Sequence, residues 1–198
     1  MSNKIKYGLK NVHYALATIA DDGSATYGNP VPFPGAVSLS MDPQGENTPF
    51  YADNVIYYLS TNNNGYQGDL EMARILDSFK KDVLKMIEDT KHVLVEDANA
   101  EAVHFALLFQ FEGDAKATRH VLYNCTAARP SVSGETKGEN KEPQTESSTI
   151  TATSVYNESL DKDIIKAECT ESSDADVYSN WFSSVYVPAA VSGGGGNG

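Results

Sequence analysis

The sequence predicts a mainly β protein, an antiparallel β-sandwich or barrel with one flanking α-helix and extended assembly arms. Three observations lead there. Apolar and polar residues alternate with period two in most structured runs, one stretch alone repeats at helical spacing, and polar or breaker-rich segments separate the runs. At 198 residues and 40% hydrophobic, the chain has the material for a core. Residues 1–191 are therefore expected to form one β domain, and 192–198 a flexible Gly-rich tail.

In chain order, Val12 to Ile19 reads as a strand, and Asp21-Asp22-Gly23-Ser24 supplies the turn after it. Val37, Leu39 and Met41 alternate with Ser38 and Ser40, as a half-buried strand requires. Asp42 to Asp53 carries Pro43, Gly45 and Pro49 and then Phe50 and Tyr51. It reads as an irregular loop arm whose aromatics seek a cover. Val55 to Thr61 is the next expected strand. From Asp69 to Glu88 there is no Gly or Pro, and Met72, Ile75, Leu76, Phe79, Val83 and Met86 recur at helical spacing, with Arg74, Ser78, Lys81, Lys85 and Glu88 on the other side. This predicts one amphipathic helix over about 69–88, with Asp77 placed to recap a second piece.

Val103 to Phe111 and Thr118 to Cys125 form the clearest pair, a hairpin joined by Glu112, Gly113, Asp114 and Ala115. A turn near Asp114 sets His120 opposite Phe109, which leaves His104 about 17 Å away along the strand at ~3.4 Å per residue. Between Pro130 and Ser148 only Val132 is apolar, so 130–148 reads as a long polar loop. Ser148 to Tyr156 and Ile164 to Thr170 are the last expected strands.

The charge balance is 15 Lys plus Arg against 27 Asp plus Glu, net −12, which opposes tight binding to nucleic acid. The opening MSNKIKYGLK has lysines but no apolar run behind it, and no stretch approaches the ~20 apolar residues of a membrane span. Cys125 and Cys169 lack CxxC spacing and read as reduced core thiols. His13, His92, His104 and His120 are scattered, and Asp174 and Asp176 begin like a calcium loop but meet Ser179 where that loop needs glycine. No serine elbow, activated thiol or phosphate loop is present, and nothing singles out two of the carboxylates. No catalytic activity, metal or cofactor is expected.

The aromatics say more. Phe50, Tyr51, Tyr57, Tyr58 and Tyr66 crowd into residues 50 to 66, which fits a surface that is apolar in body and polar at the tip. Such a surface suits a protein interface or a sugar platform; a Tyr-rich strand buried in its own core is the other reading.

A colinear series of residues resembles the major tail tube proteins of long-tailed phages, the siphovirus type common among phages of Gram-positive bacteria. It opens with Lys10-Asn11-Val12-His13-Tyr14-Ala15, Tyr27-Gly28-Asn29-Pro30-Val31 and Gly35-Ala36-Val37-Ser38-Leu39-Ser40. It continues through Tyr51-Ala52-Asp53-Asn54, Gly65-Tyr66-Gln67-Gly68 and Asp77-Ser78-Phe79-Lys80-Lys81-Asp82-Val83-Leu84. Phe105-Ala106-Leu107-Leu108-Phe109, Glu112-Gly113-Asp114, Arg119 and Val121-Leu122-Tyr123-Asn124-Cys125 complete it. That family usually shows a glycine near the end of its helix, where this chain has Lys85-Met86.

The resemblance implies a virion structural protein, made and assembled in the host cytoplasm, that polymerises as stacked hexameric rings into the tail tube that delivers the genome. Its implied partners are further copies of itself and the tape measure, tail-tip and terminator proteins, with DNA passing through without tight binding. An acidic lumen would let DNA slide. The chain's own pattern marks Asp42, Pro43, Glu46, Phe50, Tyr51, Asp53, Tyr57 and Tyr58 as the assembly arm and interface. The alternatives are a carbohydrate-binding sandwich using the Tyr57, Tyr58 and Trp181 region, or a tail-terminator or head-decoration protein.

Overall fold

The computed structural model describes residues 3–101, 103–136 and 143–189. The chain forms, in order, β1 (Lys6–Ile19), β2 (Ala25–Tyr27), β3 (Val31–Pro32), β4 (Ala36–Gln44), β5 (Asn47–Ala52), β6 (Val55–Thr61) and β7 (Gly65–Met72). Helix α1 (Asp77–Asp82) precedes β8 (Ile87–Glu88), β9 (Leu94–Val95), β10 (Phe105–Gly113), β11 (Thr118–Ala127) and β12 (Glu146–Thr153). Then come β13 (Val155–Asn157), β14 (Lys162–Ile164), β15 (Lys166–Cys169) and helix α2 (Ala175–Asn180). No helix among the described residues is long and apolar enough to cross a membrane.

The main sheet runs β2-β1-β10-β11-β12-β7-β4, with β3 also on β1 and β15 also on β11. It curls without closing. Val31 and Pro32 pair with Tyr14 and His13 of β1, and after Phe33, Pro34 and Gly35 the same chain begins β4 beside β7 at the sheet's far end.

β10 is the element around which the rest packs. Phe105, Leu107 and Phe109 enter one apolar core, and Ala106 and Leu108 enter a second on the opposite face. This is why its sequence is a continuous apolar run rather than an alternating one. Its partner β11 does the same, with Leu122 and Cys125 in the first core and Val121 and Tyr123 in the second. A register shift between Phe105↔Cys125 and Leu107↔Leu122 puts Leu122 and Cys125 on one face. The first core is closed by Leu70, Met72, Ile150 and, from the α1 side, Phe79 and Val83; the second by Tyr178, Trp181 and Val185. The two cysteines are free and lie in different cores.

Tyr14 ties β1 to the helix, its hydroxyl donating to Asp82 Oδ2 at 2.8 Å. Burial first, and the adjacent carboxylate after it, push the phenol up to about 12.

The mainly-β expectation holds, and Phe109 does pair with His120. The helix over 69–88 is corrected: residues to Met72 belong to β7, and α1 spans only Asp77–Asp82. Leu70 and Met72 are buried while Asp69 is exposed, a period-two pattern that overlaps the start of the helical one. Ladders on both sides, to β12 and β4, decide for the strand. Gly68 permits that close approach, since a Cβ there would collide with the Ser40 carbonyl.

Asp42 to Asp53 is likewise not irregular: Asp42, Pro43 and Gln44 end β4, and most of the rest is β5. The polar loop ends earlier than expected, because β12 starts at Glu146, and its described parts, 130–136 and 143–145, lack regular structure. The strands over 148–156 and 164–170 each divide in two. The tail 192–198 lies outside the described residues.

The second helix was not expected. Asp174, weighed above as a calcium ligand, caps it by accepting from the Asp176 and Val177 backbone N–H groups at 2.9 and 3.1 Å.

The departure at Lys85 has a backbone signature. Lys85 takes φ +57°, in the left-handed region, just past the helix, and Met86 N–H reaches back to the Lys80 carbonyl at 3.0 Å. A side chain there costs about 1–2 kcal/mol that glycine avoids, less the ~0.5–1 kcal/mol of extra chain entropy that glycine loses on folding. Lys85→Gly should therefore raise stability by about 0.5–1 kcal/mol, read as a higher urea midpoint at unchanged slope. A lower midpoint would show that the lysine side chain contributes more than its backbone costs.

Candidate assembly surface

β4 and β7 leave the sheet together as one long antiparallel ribbon. Pairing runs from Ala36↔Met72 to Gln44↔Gly65, continues through Asn64 N–H to the Gln44 carbonyl (2.8 Å) and Asn62 N–H to the Glu46 carbonyl (3.3 Å), and resumes at Asn47↔Thr61. Beyond Gly65, β5 and β6 pair only with each other. The tip is a two-residue turn in which Asp53 and Asn54 both have positive φ, +51° and +61°. Asn and Asp tolerate that geometry best among residues with side chains, and its twist matches the flanking strands.

The ribbon's apolar side chains have no core to enter. Phe50, Tyr51, Val55, Ile56, Tyr57 and Tyr58 are all between 57% and 74% exposed. Phe50 lies opposite Tyr58 and Tyr51 opposite Ile56, and the register shift between them leaves Tyr57 as the extra residue, the most exposed of the six. The register places Phe50 and Tyr58 on one face and Tyr51 and Ile56 on the other, so apolar side chains are exposed on both faces of the ribbon, and a concentration of this kind marks an interaction surface.

Every residue read from sequence as the arm falls on this ribbon. Asp42 and Pro43 sit at its root opposite Gln67 and Tyr66, Glu46 at the joint, Phe50, Tyr51, Tyr57 and Tyr58 along its length, and Asp53 at the tip. What sequence reading separated into an arm and a following strand is one hairpin. Its further exposed apolar residues, Val55 and Ile56, were legible only as part of a strand. The buried-core reading of the tyrosine cluster fails, since only Tyr66 packs against the core.

The sugar platform is not assembled either. Trp181 is 2% exposed in the second core, stacked on Tyr186 at 5.5 Å and donating from its indole N–H to the His120 carbonyl at 3.3 Å. The charge pattern adds a feature: from Asn11 to Ala73 the chain has no Lys or Arg, while Asp42, Glu46, Asp53, Asp69 and Glu71 fall within the ribbon and its sheet portion.

The histidines do not cluster. His104 Nδ1 meets Asn124 Oδ1 at 2.7 Å, and His120 stacks on Phe109 with centroids 5.1 Å apart. No group of three His, Cys, Asp or Glu side chains suited to a metal ion occurs among the described residues.

No family model matches this chain, and no curated protein does. Among solved structures, a chain in the cryo-EM structure of the anti-feeding prophage baseplate, six-fold symmetrised, matches 87% of this chain and 99% of its own length, at 9% identity and a TM-score of 0.47.

Two outcomes follow from the geometry. Replacing Tyr57 and Ile56 by serine should move the unfolding free energy by no more than about 0.5 kcal/mol, whereas Leu107→Ala should cost about 2–5 kcal/mol. Chemical denaturation of the three proteins checks this, and a large loss from the ribbon variant would mean that the ribbon packs on the body.

The second concerns His120. Burial holds its pKa below the usual histidine value, with Glu168 opposing and Lys166 and Lys6 reinforcing the shift. The folded state then binds fewer protons than the unfolded chain, so this contribution is present above the unfolded pKa of about 6.5 and is lost as pH falls through the lower folded value. His120→Phe should flatten the stability profile below about pH 6.5. Urea midpoints measured across that window would reveal an unchanged slope if the account is wrong.

Proposed function

We propose that this protein is a virion structural protein of a long-tailed phage that polymerises, as stacked rings, into the tail tube. The observation that carries the reading is the protruding β5–β6 ribbon, whose six large apolar side chains are exposed in the isolated subunit. A surface built this way has a use only once it is covered. The colinear tail-tube residues from Lys10 to Cys125 and the incompletely closed sheet, whose β4 is paired on one side with β7, support the same reading. Unpaired strand edges seek partners, and head-to-tail joining of identical subunits generates closed rings.

In this reading, copies of the chain are the main partner, and the tape measure, tail-tip and terminator proteins bound the polymer. The net charge of −12 keeps DNA from adhering as it passes, because no phosphate counterions are displaced by an acidic wall. Localisation is the virion tail.

Negative-stain electron microscopy of concentrated protein, with and without a tail-tip nucleator, tests the proposal. Tubes or stacked rings are the expected result; a single closed ring that never stacks would indicate a terminator or decoration role, and dispersed monomers would overturn polymerisation. Phe50→Ala combined with Tyr51→Ala should leave the monomer folded and prevent tubes. Duplex DNA should give no anisotropy change at physiological salt, and micromolar binding with a steep salt dependence would refute the non-adhesive wall.

A further inference from the structure

At the root of the ribbon, the open side of the curled sheet holds a cavity of about 350 Å3. Leu39 and Met41 of β4, Tyr66 of β7 and Phe109 and Phe111 of β10 give it an apolar, largely aromatic wall. Its only formally charged lining residues are Lys6 and Lys166. Each ammonium rests over a ring, Lys6 at 4.6 Å from the Phe111 centroid and Lys166 at 4.8 Å from that of Tyr66. Neither forms an ion pair among the described residues.

We propose that this socket receives the ribbon tip of a second copy of the chain. The inference deepens the polymerisation reading and rests on it. The tip Ala52-Asp53-Asn54-Val55 presents one carboxylate flanked by the exposed Tyr51 and Ile56, on a segment that has no cation from Asn11 to Ala73. An apolar wall edged by two ammonium groups is complementary to an apolar tip bearing one carboxylate. A ribbon cannot serve its own socket. Residues 45–53 extended at ~3.3 Å each place the tip roughly 30 Å from the root, where Met41 and Tyr66 line the cavity. The contact is therefore between copies and unlike on its two sides, so each added copy leaves one tip and one socket open for the next.

The assembly threshold, measured by light scattering against concentration, tests the contact through charge exchange. Lys6→Glu with Lys166→Glu should raise the threshold about tenfold, and so should Asp53→Lys, while the triple variant should return to within about threefold of the native protein. Near-UV circular dichroism confirms that each variant is folded. A cross-link supplies the second measurement: Asn54→Cys with Met41→Cys, whose side chain faces the cavity, should give a ladder of disulfide-linked multimers on mild oxidation, whereas each single variant stops at dimers. If the native chain assembles but the charge reversals leave the threshold unchanged, or the triple variant does not recover, or no ladder forms, the socket is wrong and polymerisation stands. If the native chain never assembles, both fall.

Discussion

Burial of β10 on both faces is the constraint from which the architecture follows. A strand flanked by two cores must be covered on each side by something else the chain supplies. The curled arc of β12, β7 and β4 with α1 covers one face, and the segment from Tyr178 to Val185 covers the other. Because β1 and β11 occupy both of its edges, the strand offers no backbone groups for further pairing. Growth of the sheet is thereby displaced to its ends, and the end at β4 is where the ribbon departs.

The second core is held in register by polar groups as well as by area. Trp181 donates to the His120 carbonyl, and Tyr178 donates from its hydroxyl to the Ala117 carbonyl at 2.8 Å. Between these anchors the Arg119 guanidinium lies 3.9 Å from the Tyr178 ring centroid and 5.2 Å from that of Phe182. A half-buried cation over two rings is worth roughly 0.5–2 kcal/mol and holds α2 against β11. On the opposite end of β11, Asn124 joins His104 to Thr153 by hydrogen bonds of 2.7 and 2.9 Å, binding β12 to the start of β10. Satisfied polar contacts of this kind choose among packings that apolar area alone leaves nearly equivalent.

The β class, the β10–β11 hairpin with its Phe109–His120 register and the strand Val55–Thr61 were all legible, because each depends on local alternation and turn chemistry. The helix boundary was not. Met72 fits both the period-two pair with Leu70 and the helical series with Ile75, Leu76 and Phe79, and only ladders to chain segments far away in sequence separate the two. The ribbon was half legible. Pro43, Gly45 and Pro49 correctly mark a departure from the sheet, but prolines and glycines do not forbid a two-stranded ribbon, whose outer edges need no donors. Asp174 carried the signal for α2, an N-cap ahead of Val177, Tyr178 and Trp181 at helical spacing, which its resemblance to a calcium ligand masked. The Lys6–Lys166 cavity joins residues 160 positions apart and had no sequence signature at all.

That the arm is a formed hairpin rather than an irregular loop changes the energetics of the proposed docking. Ordering an irregular segment costs roughly 1–2 kcal/mol of backbone entropy per residue, which would consume most of what a few aromatic contacts return. In the ribbon the β5–β6 ladder has already fixed the backbone, so the contacts of Phe50, Tyr51 and Tyr57 are left largely to association. The same readiness is a hazard, because an exposed apolar ribbon is a template for indiscriminate pairing. Three features oppose it here. Pro49 removes a donor from β5, the bulge at Tyr57 twists the ladder, and Glu46 and Asp53 repel like ribbons at both ends. In the proposed assembly, a surface that repels its own kind but complements a cationic socket favours unlike, head-to-tail contact over side-by-side aggregation, and that is the condition for ordered growth.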